Sequence, residues 1–203
     1  MHKQYLAAGF VASLGLAACS GAPAEEAPLE GSWVLEADES YLGFVTVKAG
    51  EVTESHSFTG FSGSVSADGA AQVAIDLATV DTAIDIRNER MRDFLFDVAN
   101  FPQATVSANL DPASFADLQS GDTLEQAVTA SLDLHGSSGE IATELAVTRV
   151  GQGKVRVQTI APVIVAAGSF GLAEGVEELR NLANLDAISG QVPVTFSFTF
   201  VQE

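Results

Sequence analysis

Apolar and polar residues alternate along most of the chain from Gly31 onward, the pattern of β-strands that bury one face. In the clearest stretch the apolar positions are Val192, Val194, Phe196, Phe198 and Phe200, and the positions between them are Pro193, Thr195, Ser197 and Thr199. Successive side chains of a strand point to opposite sides. This segment therefore predicts a strand with one strongly apolar face.

Weaker alternation predicts several more strands. Their apolar positions are Val73, Ile75 and Leu77; Val106, Ala108 and Leu110; Ala130, Leu132 and Leu134; Ile141, Leu145 and Val147; and Val155 and Val157. Turn signals such as Asp68-Gly69 and His135-Gly136 separate them. Helical spacing is confined to residues 86–98 and 172–185. The pattern indicates an all-β fold, either a sandwich or a closed antiparallel barrel, with one or two short helices.

Side-chain size bears on whether a barrel would be hollow. The predicted inward positions include three bulky residues of the last strand, Phe196, Phe198 and Phe200, and four small ones, Gly43, Ala108, Ala130 and Ala161. The interior of an eight-stranded barrel is either filled by side chains or holds one elongated ligand. Mixed sizes favour a ligand cavity, whereas the alternative is that each Phe is an ordinary core residue.

Composition excludes several classes of function. The chain has 203 residues, of which 47% are hydrophobic, and this suits one globular domain. Nine basic residues stand against 27 acidic ones, for a net charge of −18. Such a surface repels phosphate backbones, so nucleic-acid binding is not expected.

The N-terminus has the pattern of an export signal. His2 and Lys3 precede an apolar run that ends in small residues before the single cysteine, Cys19. Residues 16–19, Leu-Ala-Ala-Cys, resemble the lipobox of bacterial lipoproteins, in which the cysteine is acylated and becomes the first residue. We therefore expect a signal peptide over residues 1–18, a lipid-anchored flexible tether over residues 19–30 and a folded domain over residues 31–203. The alternative is an ordinary secretory peptide in which Cys19 is incidental.

This reading places the protein in the periplasm, held to a membrane through its N-terminal lipid. Two or more acyl chains anchor a protein stably, whereas one holds it only marginally. The resemblance to bacterial lipoproteins implies a sorting rule in which Asp after the cysteine directs the protein to the inner membrane. Ser20 at that position therefore favours the outer membrane.

No sequence feature supports catalysis or a metal site. The chain has no G-x-S-x-G elbow, Walker loop, dinucleotide fingerprint or H-E-x-x-H motif. His56 and His135 are isolated in sequence, whereas a metal site needs three or four ligands. We expect no enzyme activity, no metal and no cofactor other than a bound lipid.

Seven segments and Trp33, in register, resemble the YceI-like family, which comprises exported bacterial proteins with a lipocalin-like barrel. The strongest are residues 79–89, Thr-Val-Asp-Thr-Ala-Ile-Asp-Ile-Arg-Asn-Glu, and residues 96–104, Phe-Asp-Val-Ala-Asn-Phe-Pro-Gln-Ala. Trp33 and the segments 40–44, 58–63, 132–136, 170–172 and 192–196 follow the same order. The resemblance covers most of residues 32–201 and implies an antiparallel lipocalin-like barrel of about eight strands.

The resemblance also implies a ligand, a long apolar lipid such as a polyisoprenoid or a quinone-like amphiphile, inside the barrel. The apolar lining would comprise Phe44, Val73, Ile75, Leu77, Ala108, Ala130, Leu132, Val194, Phe196, Phe198 and Phe200. Arg87 and Arg90 are candidates for the mouth, where a headgroup would bind. The sequence departs from the family at Asn88, where an Asp is common, and at Arg90, where a His is common.

Two alternatives remain open at this point. Arg87, Arg90 and Arg92 could pair locally with Glu89, Asp93 and Asp97, as exposed charges on short helices commonly do. The protein as a whole could instead be a non-catalytic interaction or stress-response module with a packed core and no lipid. Nothing in the sequence identifies a protein partner.

Overall fold

The computed structural model describes residues 26–203, which form eleven strands and two α-helices. The strands are β1 (Trp33–Lys48), β2 (Val52–Phe58), β3 (Phe61–Val65), β4 (Ala70–Asp76), β5 (Val80–Asp81), β6 (Gln103–Asn109), β7 (Thr123–Leu134), β8 (Ser137–Gly151), β9 (Lys154–Thr159), β10 (Val163–Ala166) and β11 (Gln191–Gln202). The helices are α1 (Asp85–Arg90), which continues into a π-helical turn (Met91–Leu95), and α2 (Ala173–Leu182). None of the helices in this range is long and apolar enough to cross a membrane.

Eight antiparallel strands close into a barrel. Their order is β11-β9-β8-β7-β6-β4-β3-β1, and β1 pairs with β11 to complete the circle. The short strands β2, β5 and β10 extend the sheet at one end only, where β2 pairs with the second half of β1 and β10 with the first residues of β11. The fold is the expected all-β barrel, and the pairing of β1 with β11 excludes the sandwich.

The two ends of the barrel carry different elements. We call the base the end where β1 begins at Trp33 and β11 ends at Gln202, which are paired with each other. We call the lid end the opposite one, where β1 ends at Lys48 and where α1, the π-helical turn and α2 are inserted between strands. Because α1 precedes the first residue of β6 and α2 precedes that of β11, both helices lie at the lid end.

Both predicted helical segments are confirmed, and they pack closely against each other. In α2, a Cβ built on Gly175 would lie 2.5 Å from the carbonyl oxygen of Phe94 and 2.8 Å from Cα of Leu95. The absence of a side chain at this position therefore brings α2 into contact with the backbone of the π-helical turn. We call α1, the π-helical turn and α2 the helical layer. The side chains buried in the core within or next to this layer are those of Met91, Leu95, Phe96, Phe170 and Leu172.

The outward face of β11 has one exception to the alternation. Thr199, predicted on the polar face, has no exposed surface. The pairing of β1 with β11 is interrupted between Glu36 and Tyr41, and the extra residues of β1 fold over β11. The Thr199 N–H donates to Ser40 Oγ at 2.9 Å and its hydroxyl donates to the Glu39 carbonyl at 3.1 Å. A β-bulge thus covers a polar side chain and also satisfies its hydrogen bonds.

Two small residues predicted to point into the barrel do not do so. A Cβ built on Gly43 would clash with the Tyr41 ring, which lies on the same outer face two residues earlier and is 51% exposed. Ala161 is exposed in the bend between β9 and β10. Gly43 lies between Leu42 and Phe44, which are buried in the core, so it faces the opposite side of the strand. Ala161 does not point inward because a bend has no alternating faces.

Contacts with the base begin before the predicted domain boundary at Gly31. The Arg149 guanidinium, only 1% exposed, donates to the carbonyl oxygens of Ala27 and Leu118, both at 2.8 Å, and its Nε lies 3.1 Å from the Glu26 carboxylate. The side chain of Leu29 is buried in the core at the base. Residues 26–30 of the expected tether are therefore packed on the barrel. The predicted signal peptide, Cys19 and residues 20–25 lie outside the described residues.

Candidate functional site

A cavity of about 490 Å³ lies inside the barrel and is lined almost entirely by apolar groups. Its lining extends from Leu29 at the base to Ile188 at the lid end and includes residues of all eight barrel strands. The volume falls within the range of small-molecule sites. The barrel is thus hollow along much of its length.

Every residue of the predicted apolar lining borders this cavity. These residues are Phe44, Val73, Ile75, Leu77, Ala108, Ala130, Leu132, Val194, Phe196, Phe198 and Phe200. Arg87 and Arg90, predicted at the mouth, border it as well, at the lid end. The structure therefore brings the predicted residues together around one space, and their contact with a ligand stays a prediction.

The distribution of side-chain size across the barrel accounts for this space. The rings of Phe196 and Phe198 on β11 stack at a centroid distance of 4.5 Å. β6 lies four strands away from β11 in both directions around the barrel, and its inward residues are Ala104, Val106 and Ala108. Since bulky side chains on one wall face small ones on the other, the interior does not fill.

Polar side chains of the cavity wall are concentrated at the lid end. We call Thr46, Lys48, Glu54, His56 and Arg87 the polar cluster. The first two lie on β1 and the next two on β2, and the antiparallel register sets Thr46 opposite Glu54 and Phe44 opposite His56. The carboxylate of Glu54 lies 2.6 Å from Lys48 Nζ and 2.8 Å from Arg87 Nη1. One end of an otherwise apolar cavity is therefore charged.

Two atoms of the polar cluster have unused hydrogen-bonding capacity. His56 is 5% exposed, and its Nε2 lies 2.9 Å from the Thr46 hydroxyl. Within residues 26–203, His56 Nδ1 and Arg87 Nε are buried without a hydrogen-bond partner. Leaving such groups unpaired costs free energy, so a polar atom of a bound molecule at this end would be stabilised.

The cluster perturbs the ionisation of its own members. Burial, together with the positive charge of Arg87, lowers the pKa of His56 below its ordinary value. The hydrogen bond from Lys48, with those from Arg87, lowers the pKa of Glu54. At neutral pH the cluster therefore holds a neutral imidazole and an ionised carboxylate between two cations.

The alternative of local ion pairing is wrong for Arg87. Its partner is Glu54, 33 residues away on β2, and its Nη2 donates to the Thr82 carbonyl at 2.6 Å. Arg90 Nη1 donates to the Leu182 carbonyl at 3.3 Å and so joins α1 to the end of α2. Among the described residues, neither Arg90 nor Arg92 has a carboxylate within 4.0 Å.

Asn88, at a position where the resemblance expects Asp, has a structural role. Its Oδ1 accepts hydrogen bonds from the Thr82 N–H at 2.8 Å and from the Thr82 hydroxyl at 2.6 Å. Thr82 is buried, and its carbonyl holds Arg87. Asn88 therefore fixes the loop against which Arg87 is positioned.

Sequence reasoning missed four members of the polar cluster. Thr46, Lys48, Glu54 and His56 occupy alternate positions on two strands, which places them on the same face as Phe44 and Phe58. The spacing of two residues between them could have placed them on the inward face. A search for alternating apolar residues does not find them, because these inward side chains are polar. In the part of the chain that the structure describes, no group of three or more His, Cys, Asp or Glu side chains is arranged to hold a metal ion.

Comparison with known proteins agrees with the geometry. The model of the family described as "YceI-like domain" matches residues 33–200. A solved structure of a polyisoprenoid-binding domain from Saccharophagus degradans, described as implicated in plant cell wall breakdown, is 42% identical in sequence with a TM-score of 0.83, and the match covers 86% of this chain and all of that one. BcnA of Burkholderia cenocepacia is 21% identical with a TM-score of 0.64, covering 81% of this chain and 98% of its own, and it shares the fold. No curated protein matches the chain.

Proposed function

Since the chain belongs to the YceI-like family, we propose that it binds one long apolar lipid, a polyisoprenoid or a quinone-like amphiphile, along the axis of the barrel. The family match and the barrel support a lipid-binding role. The observation that carries the proposal is the continuous apolar cavity that ends in the polar cluster. A molecule with a long apolar tail and one small polar head matches both parts of this wall.

The polar cluster, not the apolar wall, provides most of the selectivity in this proposal. A lipid leaves a bilayer that is about as apolar as the barrel, so tail burial adds little net free energy. The head would accept a hydrogen bond from Arg87 Nε and share one with His56 Nδ1. Glu54 already balances one cation of the cluster. An uncharged head with carbonyl or hydroxyl oxygens therefore suits the site better than a multiply charged one.

We propose further that the protein acts without catalysis as an exported carrier or store of this lipid. The N-terminal signal and Cys19 support a periplasmic protein anchored to a membrane, with the outer membrane favoured by Ser20. In C19S, acylation would be lost, and the protein would no longer fractionate with membranes or incorporate labelled palmitate.

The experiment that tests binding is solvent extraction of the purified protein followed by mass spectrometry. The proposal expects a long-chain lipid in a near-stoichiometric amount from the wild type. In Ala130→Phe the new ring projects into the cavity, so it displaces the lipid at a modest cost in stability. Ala142→Phe is the matched control, because Ala142 is exposed on the outer face of the neighbouring strand.

The measured pair of lipid content and thermal midpoint separates the two functional classes. Loss of lipid in A130F but not in A142F supports the proposal that the protein binds lipid in the cavity. If wild-type protein never contains lipid and A130F is destabilised by about 1 to 3 kcal/mol, the cavity is not a lipid-binding site. The protein would then be an interaction or stress-response module.

A further inference from the structure

The segment Glu26–Glu30, which we call the strap, is held to the base by several groups. Glu26 accepts a hydrogen bond from the Ser120 N–H at 2.9 Å, and the Ala27 carbonyl accepts one from Arg149 Nη2 at 2.8 Å. Leu29 is 7% exposed, and the Glu30 carbonyl accepts a hydrogen bond from Gln202 Nε2 at 2.6 Å. The path of the chain into the barrel is therefore defined from Glu26 onward.

The strap and the polar cluster lie at opposite ends of the barrel. β11 runs the full distance between them with 12 residues, which corresponds to about 40 Å along the strand and about 30 Å along the axis of a tilted barrel. The helical layer at the lid end adds about 10 Å. The outer surface of the lid end is thus about 40 Å from the strap.

The chain between the proposed anchor and the strap is too short to span that distance. Seven peptide steps connect Cys19 with Glu26. Whatever conformation they adopt, they extend over at most about 25 Å. With the strap in place, the barrel therefore cannot stand upright with its lid end on the leaflet that holds Cys19, because the strap would then lie about 40 Å above that leaflet.

We propose that the strap orients the anchored protein, with its base toward the bilayer and the lid end, with the polar cluster, toward the aqueous compartment. This inference rests on the anchor at Cys19 in the proposed function. Lipid exchange through the lid end would then involve an acceptor on the aqueous side and not the protein's own leaflet. Release of the strap would permit the inverted orientation, because the 14 steps from Cys19 to Trp33 can extend to about 49 Å.

The sequence supplies the probes for a direct test. Cys19 is the single cysteine and Trp33, at the base, is the single tryptophan. The chain from Cys19 onward, which contains the whole folded domain, is coupled through its thiol to a maleimide lipid in phosphatidylcholine vesicles that also carry a dansyl lipid. Energy transfer from tryptophan to dansyl then reports how close each end of the barrel is to the membrane.

A second variant places the donor at the other end of the molecule. Phe94, in the helical layer, is 49% exposed, so the double variant W33F/F94W carries its only tryptophan at the lid end. The proposal expects severalfold stronger transfer from Trp33 than from this variant. Equal or stronger transfer from the lid end would overturn it.

A lengthened tether provides the control. A flexible Gly/Ser segment about as long as residues 19–26 is inserted between Ala24 and Glu25. The strap can then lie farther from the leaflet, so the tether no longer restricts the orientation of the barrel. The difference between the two donors is expected to shrink severalfold, and an unchanged difference would show that tether length does not set the orientation. Because coupling is chemical and needs no bound lipid, this result is independent of acylation in the cell and of the extraction experiment.

Discussion

Arg149 is the most deeply buried charged residue among those the structure describes, and it lies on the inward side of β8 at the base. Three groups surround its guanidinium, two carbonyl oxygens and the carboxylate of Glu26. Its two Nη atoms donate to the carbonyls and the Glu26 carboxylate balances its charge, whereas its Nε has no hydrogen-bond partner among the described residues. Arg149, on β8, therefore links the strap to the loop that precedes β7, at the base of the barrel.

Replacement of this side chain is expected to destabilise the fold strongly. In Arg149→Met the volume is nearly kept, but the Ala27 and Leu118 carbonyls lose their donor. A buried acceptor left without its donor typically costs about 1 to 3 kcal/mol. Urea unfolding measures the loss, and Arg156→Met, on the exposed face of β9, should change stability by less than about 0.5 kcal/mol. Similar losses in both variants would contradict the role of Arg149.

His56 is expected to make stability depend on pH below its ordinary pKa of about 6.5. Its folded-state pKa is lowered, by burial first and by Arg87 second, whereas Glu54 and Asp81 oppose the shift. Below the ordinary His pKa of about 6.5, the unfolded chain binds a proton that the folded protein binds less well. Stability is therefore complete above that pH and decreases as the pH falls toward the folded-state pKa.

The corresponding measurement is the thermal midpoint of lipid-free protein at intervals from neutral to acidic pH. The wild type is expected to lose stability on acidification, and His56→Gln, which keeps a polar group near Thr46 but does not titrate, is expected to lose less. Parallel profiles for the two proteins would show that His56 does not cause the dependence. Glu54, whose pKa is lowered, contributes mainly at more acidic pH.

At the scale of elements, the helical layer depends on the close approach of α2 to the π-helical turn. An alanine in a helix interior is ordinarily more stable than glycine by about 1 kcal/mol. At Gly175, however, the added methyl would meet backbone atoms of Phe94 and Leu95, which cannot rotate away as a side chain can. The steric term opposes the helix propensity and should outweigh it.

Gly175→Ala is therefore expected to destabilise the protein by about 1 to 3 kcal/mol, as overpacking commonly does. The control is Gly168→Ala in the turn before α2, where a Cβ would have no atom within 4 Å. Chemical denaturation of both variants measures the difference. A stabilised G175A would show that the contact between α2 and the turn is loose.

At the scale of the whole molecule, the excess of acidic side chains works against the compact folded state. The barrel keeps a cavity open, and the net charge of −18 makes the compact state repel itself. Five ion pairs are formed among the described residues, which is few beside the 27 acidic side chains of the whole chain. Mobile cations should provide part of the missing compensation.

Added salt is accordingly expected to stabilise the protein. Screening lengths fall from about 30 Å at 0.01 M to about 3 Å at 1 M, so repulsion among surface carboxylates weakens while the buried contacts of Arg149 change little. The thermal midpoint in sodium chloride should rise by several degrees over this range. An equal concentration of an uncharged solute is the control, and a midpoint that falls with salt would contradict the argument.

Much of the barrel could be predicted from local sequence. Period-two alternation placed Phe196, Phe198 and Phe200 on the inner face of β11, and helical spacing located α1 and α2. Both patterns repeat over a few residues, so they need no knowledge of neighbouring strands. The error at Gly43 has another cause, because Gly43 and Phe44 were both expected inside although neighbouring residues of a strand point to opposite sides.

By itself, then, the sequence determined the strand faces, the two helical segments and the family resemblance that selected a barrel. Tertiary structure alone decided which side chains meet. Glu54 joins Arg87 because β2 and α1 converge at the lid end, Thr46 reaches His56 through the register of β1 with β2, and Arg149 meets Glu26 at the base. These contacts connect residues from 10 to 123 positions apart, and strand register and barrel closure, which set them, have no local period that a sequence can display.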